Sequence, residues 1–220
     1  MAVWQTNNIA ASADRCRKEE ETMNRSSRTV KLVEMALLVA IILILAFTPL
    51  GYIKTLGLEI TLIVVPVTIG AIILGPLGGA VLGAVFGITS FIQCFGMSPF
   101  GAVLLGINPF GTFVVCVVSR ILMGWLTGLI YKGLSKFPKM KNWKILIANL
   151  AGPILNTFFF MSTLVIFFFS SDYIQSLVGG LNPFRFVIAF VGVNGLVEAA
   201  ACFVVGSAIT KALQVAMKNK

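Results

Sequence analysis

Three polar residues lie deep inside apolar stretches of this 220-residue chain: Arg120, Asn156 and Glu198. An ionised side chain at the centre of a bilayer costs about 2.5–3.5 kcal/mol on insertion scales, so such groups normally face a protein interior and mark function. Arginine is a charge-assisted donor that suits a carboxylate, whereas an amide and a carboxylate suit hydroxyl and amide groups. The sequence therefore predicts a binding site for a small polar ligand.

Further polar residues extend this predicted site. Asn194 and Glu198 are four residues apart and share a helix face. Gln93 lies at the end of the third apolar segment, and Asn108 closes the loop that follows it. We expect a pocket that opens outward, with Arg120 and Glu198 as its floor. Its predicted walls are Asn156, Asn194, Gln93 and Asn108. The alternative is a structural Arg120–Glu198 ion pair that only locks two helices.

Catalytic chemistry has little support in this sequence. The chain contains no histidine, which excludes His-based acid–base catalysis and His-ligated metals. Its four cysteines lie in four separate segments without CxxC spacing, so they form no metal or disulfide motif. No P-loop and no nucleophile paired with a base is present. We expect neither an enzyme nor a bound cofactor or metal.

The elements that must position these residues are membrane helices, because 58% of the chain is hydrophobic and only 11% is charged. Prolines fall between the apolar segments, where helices can end without breaking a buried hydrogen-bond ladder. The pattern predicts an all-α membrane protein, a bundle of six transmembrane helices. The six segments are Thr29–Pro49, Leu58–Leu74, Gly78–Phe95, Phe110–Tyr131, Ile145–Phe169 and Phe186–Leu213.

The charges indicate how these helices are oriented. The N-terminal arm, the loop after the fourth segment and the C-terminus carry net charges of +2, +5 and +3. Positive segments face the cytoplasm, so both termini and the fourth loop are predicted to be cytoplasmic. This arrangement requires an even number of spans. Residues 1–28 are polar and read as a solvated, disordered arm without a signal peptide, followed by a transmembrane substrate-binding domain over residues 29–220.

Small residues recur at helical spacing in several spans. The third segment contains Gly79, Gly83 and Gly87, each four residues from the next, and the fourth contains Gly124 and Gly128. Residues four apart share a face, so each set predicts a smooth groove for close packing between helices. The first segment carries an alanine pair of the same spacing, Ala36-x3-Ala40, which alone is weak evidence for a partner.

Together these features resemble the substrate-binding S components of energy-coupling factor (ECF) vitamin transporters, and most closely the pantothenate-type subgroup. The resemblance covers about residues 30–213 and rests on the order of four motifs together with the span count. These motifs are Ala36-x3-Ala40, VPVTIGAIILGP at residues 65–76, GAVFGITSF at residues 83–91 and NGLVEA at residues 194–199.

The resemblance implies a multi-pass protein of the bacterial plasma membrane that captures a vitamin with high affinity outside the cell. It implies docking on a transmembrane coupling protein (EcfT-like) driven by two ABC ATPases, with Ala36 and Ala40 contacting the coupling protein. The first outer loop, Leu50–Gly57, would act as a lid. No nucleic-acid partner is implied. A ligand carboxylate would suit Arg120.

Two other functions fit the residues. One is a self-sufficient secondary transporter of a small anionic metabolite, in which Arg120 and Glu198 couple transport to protons or ions. The other is an assembly protein whose buried polar residues only lock helices together. An ATP requirement separates the ECF importer from the secondary transporter, and tight ligand binding excludes the assembly protein.

Overall fold

The apolar sequence folds mainly into helices, because a backbone in hydrocarbon must satisfy its hydrogen bonds internally. The computed structural model describes residues 28–48, 52–54, 59–137, 143–178, 195, 198–200 and 202–218. The predicted arm of residues 1–28 lies almost entirely outside the described residues and stays a prediction. The chain divides into two compact units, Met1–Leu37 and Leu38–Lys220.

The described elements are helical except for one short hairpin. In chain order they are α1 Arg28–Phe47, β1 Tyr52–Lys54, β2 Glu59–Thr61, α2 Val64–Ile73, α3 Gly75–Gln93, α4 Pro99–Ile107, α5 Pro109–Leu134, α6 Trp143–Phe168, α7 Asp172–Val178 and α8 Ser207–Lys218. Two π-helical segments interrupt the regular pattern: Val114–Val118 inside α5, and Cys202–Gly206 just before α8.

Four of the described helices are long and apolar enough to cross a membrane: α1, α3, α5 and α6. They coincide with the first, third, fourth and fifth predicted segments. The first part of the sixth predicted segment, residues 186–194, lies outside the described residues, and the rest is described except for residues 196, 197 and 201. The predicted fold of apolar membrane helices is therefore confirmed apart from the β1–β2 hairpin, whereas the count of six helices and the cytoplasmic termini stay predictions.

The second predicted segment differs from the structure at its start. We expected a helix over Leu58–Leu74, but Glu59–Thr61 pairs with Tyr52–Lys54 as an antiparallel hairpin, and α2 begins only at Val64. A short apolar run reads alike as a strand or as a helix, so periodicity could not separate the two. The turn into α3 is tight, as the Gly75-Pro76 pair between the second and third apolar segments predicts: Leu74 alone separates the helices, and Gly75 has φ +83°.

The expected loop Gly96–Pro109 contains a short helix, α4. Its N-cap is Ser98, whose side chain accepts a hydrogen bond from the Gly101 N–H, and Pro99 is its first residue. A serine followed by proline is a typical helix start. This signal was present in the sequence and the loop prediction missed it.

Glycines hold α3 and α5 in backbone contact, as their spacing of four residues predicts. A Cβ added at Gly83 would lie 3.0 Å from the Arg120 carbonyl carbon, and one at Gly87 would lie 2.7 Å from the Val117 Cα. A Cβ at Gly124 would in turn meet the backbone of Gly79. The groove therefore fixes the height at which α5 presents Arg120.

We expect Gly83→Val to lower the apparent unfolding temperature by several degrees. The valine side chain would meet backbone atoms of α5 rather than a flexible side chain, and overpacking of this kind costs roughly 1–3 kcal/mol. Gly133→Val is the matched control, because nothing lies within 4 Å of a Cβ at that position in the same structure. Thermal unfolding of both proteins in detergent measures the difference. Equal unfolding temperatures would show that the groove tolerates side chains.

Candidate functional site

Arg120 is buried in α5, two residues after the π segment ends at Val118. In this segment the Ser119 N–H bonds to the Val114 carbonyl, so the Val115 carbonyl loses the donor that a regular α-helix would give it. The Arg120 Nη1 atom donates to this carbonyl at 2.7 Å, and the Ser119 hydroxyl donates to it as well. The π segment thus provides the acceptor that orients the guanidinium group.

Two aromatic rings flank the guanidinium group of Arg120. Its Cζ atom lies 5.0 Å from the centre of the Phe86 ring and 5.3 Å from the centre of the Phe160 ring. Both distances are within the range of cation–π attraction, which partly replaces the hydration lost on burial. Phe86 on α3 is fully buried, and Phe160 on α6 is partly buried.

One edge of this guanidinium group forms no hydrogen bond with the described residues. The Nε atom is buried without a hydrogen-bond partner, and within the described part of the chain Nη2 also donates to no residue. The guanidinium likewise forms no ion pair with Glu198 among these residues. Two parallel N–H donors on one planar edge match a carboxylate bidentately. This edge therefore has donors of the type and geometry that a carboxylate requires.

The second half of the site is a carboxylate held by two neutral donors. Glu198 is buried, and its Oε1 accepts from Asn156 Nδ2 at 3.0 Å and from the Thr61 hydroxyl at 3.4 Å. Thr61 belongs to β2, Asn156 to α6, and Glu198 to the short helical stretch 198–200. Three distant parts of the chain therefore meet at one oxygen atom.

Asn156 has an unused acceptor beside this cluster. Its Oδ1 is buried and has no partner among the described residues. A buried polar atom left unpaired costs about 1–3 kcal/mol, so the site is incomplete as it stands. A ligand that presents an anion to Arg120 and an O–H or N–H to Asn156 would satisfy both groups at once.

The remaining predicted site residues have other surroundings. Gln93 is buried at the end of α3, and its Nε2 donates to the Ala46 carbonyl of α1. Asn108 is the N-cap of α5, and its Oδ1 accepts from the Gly111 N–H at 3.0 Å. Asn194 lies outside the described residues. The structure thus joins Asn156 and Glu198 directly and gives Asn108 a capping contact instead.

Three residues of the cluster were not anticipated from the sequence: Thr61, Phe86 and Val115. A threonine in an apolar run and a phenylalanine in a membrane helix carry no distinctive signal, because both are common in such segments. The Val115 carbonyl is available only because of the π segment, which no sequence pattern marked.

A second buried asparagine lies about two turns before Asn156 along α6. Asn149 is fully buried, and its Nδ2 donates to the Ser207 hydroxyl of α8 at 3.4 Å. Its Oδ1 is packed against Gly206, where an added Cβ would lie 2.9 Å away. The Asn149–Ser207 contact ties α6 to α8, while Asn149 Oδ1, like Asn156 Oδ1, is buried without a hydrogen-bond partner among the described residues.

Two comparisons with known proteins bear on this site. The family described as "ECF transporter, substrate-specific component" matches residues 30–209. The chain is also 32% identical over 173 residues to the pantothenic acid transporter PanT of Lactococcus lactis subsp. cremoris (strain MG1363). That match covers 72% of this chain and 80% of the relative.

Proposed function

The chain belongs to the family of ECF transporter substrate-specific components, and we propose that it is the high-affinity pantothenate-binding subunit of an ECF importer. Proteins of this family are transporter components and not enzymes. The relative from Lactococcus lactis, which transports pantothenic acid, supports this choice of vitamin.

The observation that carries the proposal concerns two buried atoms on α5 and α6, Arg120 Nε and Asn156 Oδ1. Together with Asn149 Oδ1, they are the buried side-chain atoms in the described part of the chain that lack a hydrogen-bond partner. Pantothenate carries a carboxylate at one end and hydroxyl groups at the other, with an amide between them. In our proposal the carboxylate binds the free edge of Arg120, and a hydroxyl or amide hydrogen donates to Asn156 Oδ1. Glu198 accepts a second hydrogen from the ligand.

We also propose the membrane location and the partner proteins that are expected for this family. The protein would span the bacterial plasma membrane several times and deliver pantothenate through an EcfT-like coupling protein driven by two ABC ATPases. Ala36 and Ala40 are both exposed, four residues apart in α1. Small exposed residues at this spacing let another helix approach closely, which supports their assignment to the coupling-protein interface.

Binding of radiolabelled pantothenate to the detergent-purified protein tests the proposal, with folate, riboflavin and niacin as competitors. We expect saturable binding that only unlabelled pantothenate displaces. Displacement by another vitamin would overturn the assignment of the cargo. Uptake by cells that express the protein with and without the coupling protein and ATPases tests the partnership, and uptake without them would favour a secondary transporter.

Strand β1 lies within the predicted lid, Leu50–Gly57, and Thr61 of its partner strand β2 contacts the site. We expect Thr61→Val to weaken pantothenate binding by about tenfold, because Glu198 Oε1 loses one of its two donors and the removed hydrogen bond to a charged group contributes about 1.5 kcal/mol. Thr61→Ser keeps the hydroxyl and should bind like wild type. Equal affinities of the valine and serine variants would show that this hydroxyl has no part in binding.

A further inference from the structure

Two cysteines that lie in different segments of the sequence are in contact in the fold. The Sγ atoms of Cys94 and Cys116 are 3.8 Å apart, and both side chains are buried. Cys94 directly follows α3, and Cys116 is the central residue of the π segment in α5. The spacing of the cysteines along the sequence did not predict this contact.

The backbone around the two sulfur atoms is closely packed. A disulfide has an S–S distance of about 2.05 Å, so the sulfurs must move together by about 1.8 Å. The backbones of α3 and the π segment already touch nearby, since a Cβ at Gly87 would lie 2.8 Å from the Cys116 carbonyl oxygen. On another side, α4 packs against Cys94, where a Cβ at Gly101 would lie 2.6 Å from Sγ. The helices are thus held together beside the pair.

We propose that Cys94 and Cys116 are a dithiol that hydrogen peroxide oxidises to a disulfide, and that this disulfide weakens ligand binding. The sulfur of one cysteine first attacks peroxide, the O–O bond breaks, and a sulfenic acid and one water form. The sulfur of the second cysteine then attacks the sulfenic sulfur. The S–S bond forms as the S–O bond breaks, and the departing oxygen leaves with the thiol proton as a second water. The pair loses two electrons, which reduce the peroxide.

The effect on binding follows from the position of the π segment, and this part rests on the proposed function. Val115 precedes Cys116 and supplies the carbonyl that orients Arg120 Nη1. Drawing Cys116 towards Cys94 moves this carbonyl, so the free edge of the guanidinium group loses its alignment with the ligand. We expect the oxidised protein to bind pantothenate at least about tenfold more weakly, since the hydrogen bonds of a carboxylate to arginine depend on planar geometry.

The chemical test uses full-length protein in which Cys16→Ser and Cys202→Ser leave only the pair. The folded protein is treated with peroxide, denatured, reacted with N-ethylmaleimide and measured by non-reducing mass spectrometry. We expect a mass decrease of about 2 Da and no maleimide adduct, with both thiols restored by dithiothreitol. Adding Cys94→Ser or Cys116→Ser leaves one thiol, which should give a sulfenic acid that dimedone traps.

Two results would overturn the pairing. In the first, the folded protein still forms two maleimide adducts after treatment with peroxide. In the second, the disulfide forms at the same rate in protein unfolded in sodium dodecyl sulfate as in folded protein, which would show that the fold does not bring the thiols together.

Pantothenate binding before and after oxidation tests the functional consequence. We expect peroxide to weaken binding and dithiothreitol to restore it. In the Cys94→Ser variant peroxide should leave the affinity unchanged. Unchanged affinity of the fully oxidised protein would overturn the link to the site. If the reduced protein does not bind pantothenate but the disulfide does form on oxidation, the assignment of pantothenate is wrong and the cysteine pairing is still supported.

Discussion

Replacing Arg120 by alanine is expected to abolish pantothenate binding while leaving a folded protein in detergent. The substitution removes the free Nε–Nη2 edge and the charge that would face the ligand's carboxylate. Truncating one partner of a buried, hydrogen-bonded charge pair costs about 2–5 kcal/mol, which corresponds to an affinity loss of about 30-fold to more than 1,000-fold. Equilibrium binding of radiolabelled pantothenate measures this loss.

Two further variants separate recognition from packing. Arg120→Lys keeps a positive charge but has no planar edge, so we expect it to bind almost as poorly as the alanine variant. Lys132→Ala removes an exposed cation from the same helix and should bind like wild type. If Arg120→Ala keeps its affinity, Arg120 only locks helices through Val115, Phe86 and Phe160.

Replacing Ala40 by tryptophan is expected to stop pantothenate uptake by cells while sparing binding by the purified protein. Ala40 is exposed on α1, away from the buried face formed by Leu38, Ile42 and Ala46. A tryptophan there leaves the interior unchanged but prevents another helix from approaching the backbone closely. Ala36→Trp should act in the same way. Uptake of radiolabelled pantothenate by cells that contain the complete transporter measures the effect.

The matched control for this prediction is Ile41→Trp. Ile41 is also exposed in α1, but it lies roughly 100° further round the helix from Ala40. We expect this variant to keep uptake, because a large side chain already faces outward there. Uptake at the wild-type rate by Ala40→Trp would show that this face of α1 does not dock on the coupling protein. Loss of binding in the purified variant would show that the tryptophan disturbs the site itself.

The long helices could be predicted from the sequence because each is a sustained apolar segment bounded by proline, glycine or charge. The helices α3, α5 and α6 agree with the predicted spans to within a few residues. The prediction for the second segment was wrong at its start, where Glu59–Thr61 forms a strand. Its partner strand is Tyr52–Lys54, and hydropathy contains no information about pairing across a turn.

The prediction of close helix packing also came from the sequence. Glycines four residues apart form a stripe on any helix, so Gly79, Gly83 and Gly87 had to share a face. Which helix would cover this face was not determined by the spacing. The structure shows that α5 does so, with the backbones at Gly83 and Arg120 in contact.

The sequence by itself determined that this is a helical membrane protein and that Arg120, Asn156 and Glu198 face an interior. The reason is energetic: charges and amides are too costly to expose to lipid, so their position within apolar segments already places them inside. Only the tertiary structure decided their partners. Glu198 meets Thr61 from a strand 137 residues away, Arg120 keeps one edge unpaired, and Cys94 meets Cys116. Such contacts depend on how the helices are rotated and stacked against one another, and no single segment encodes that arrangement.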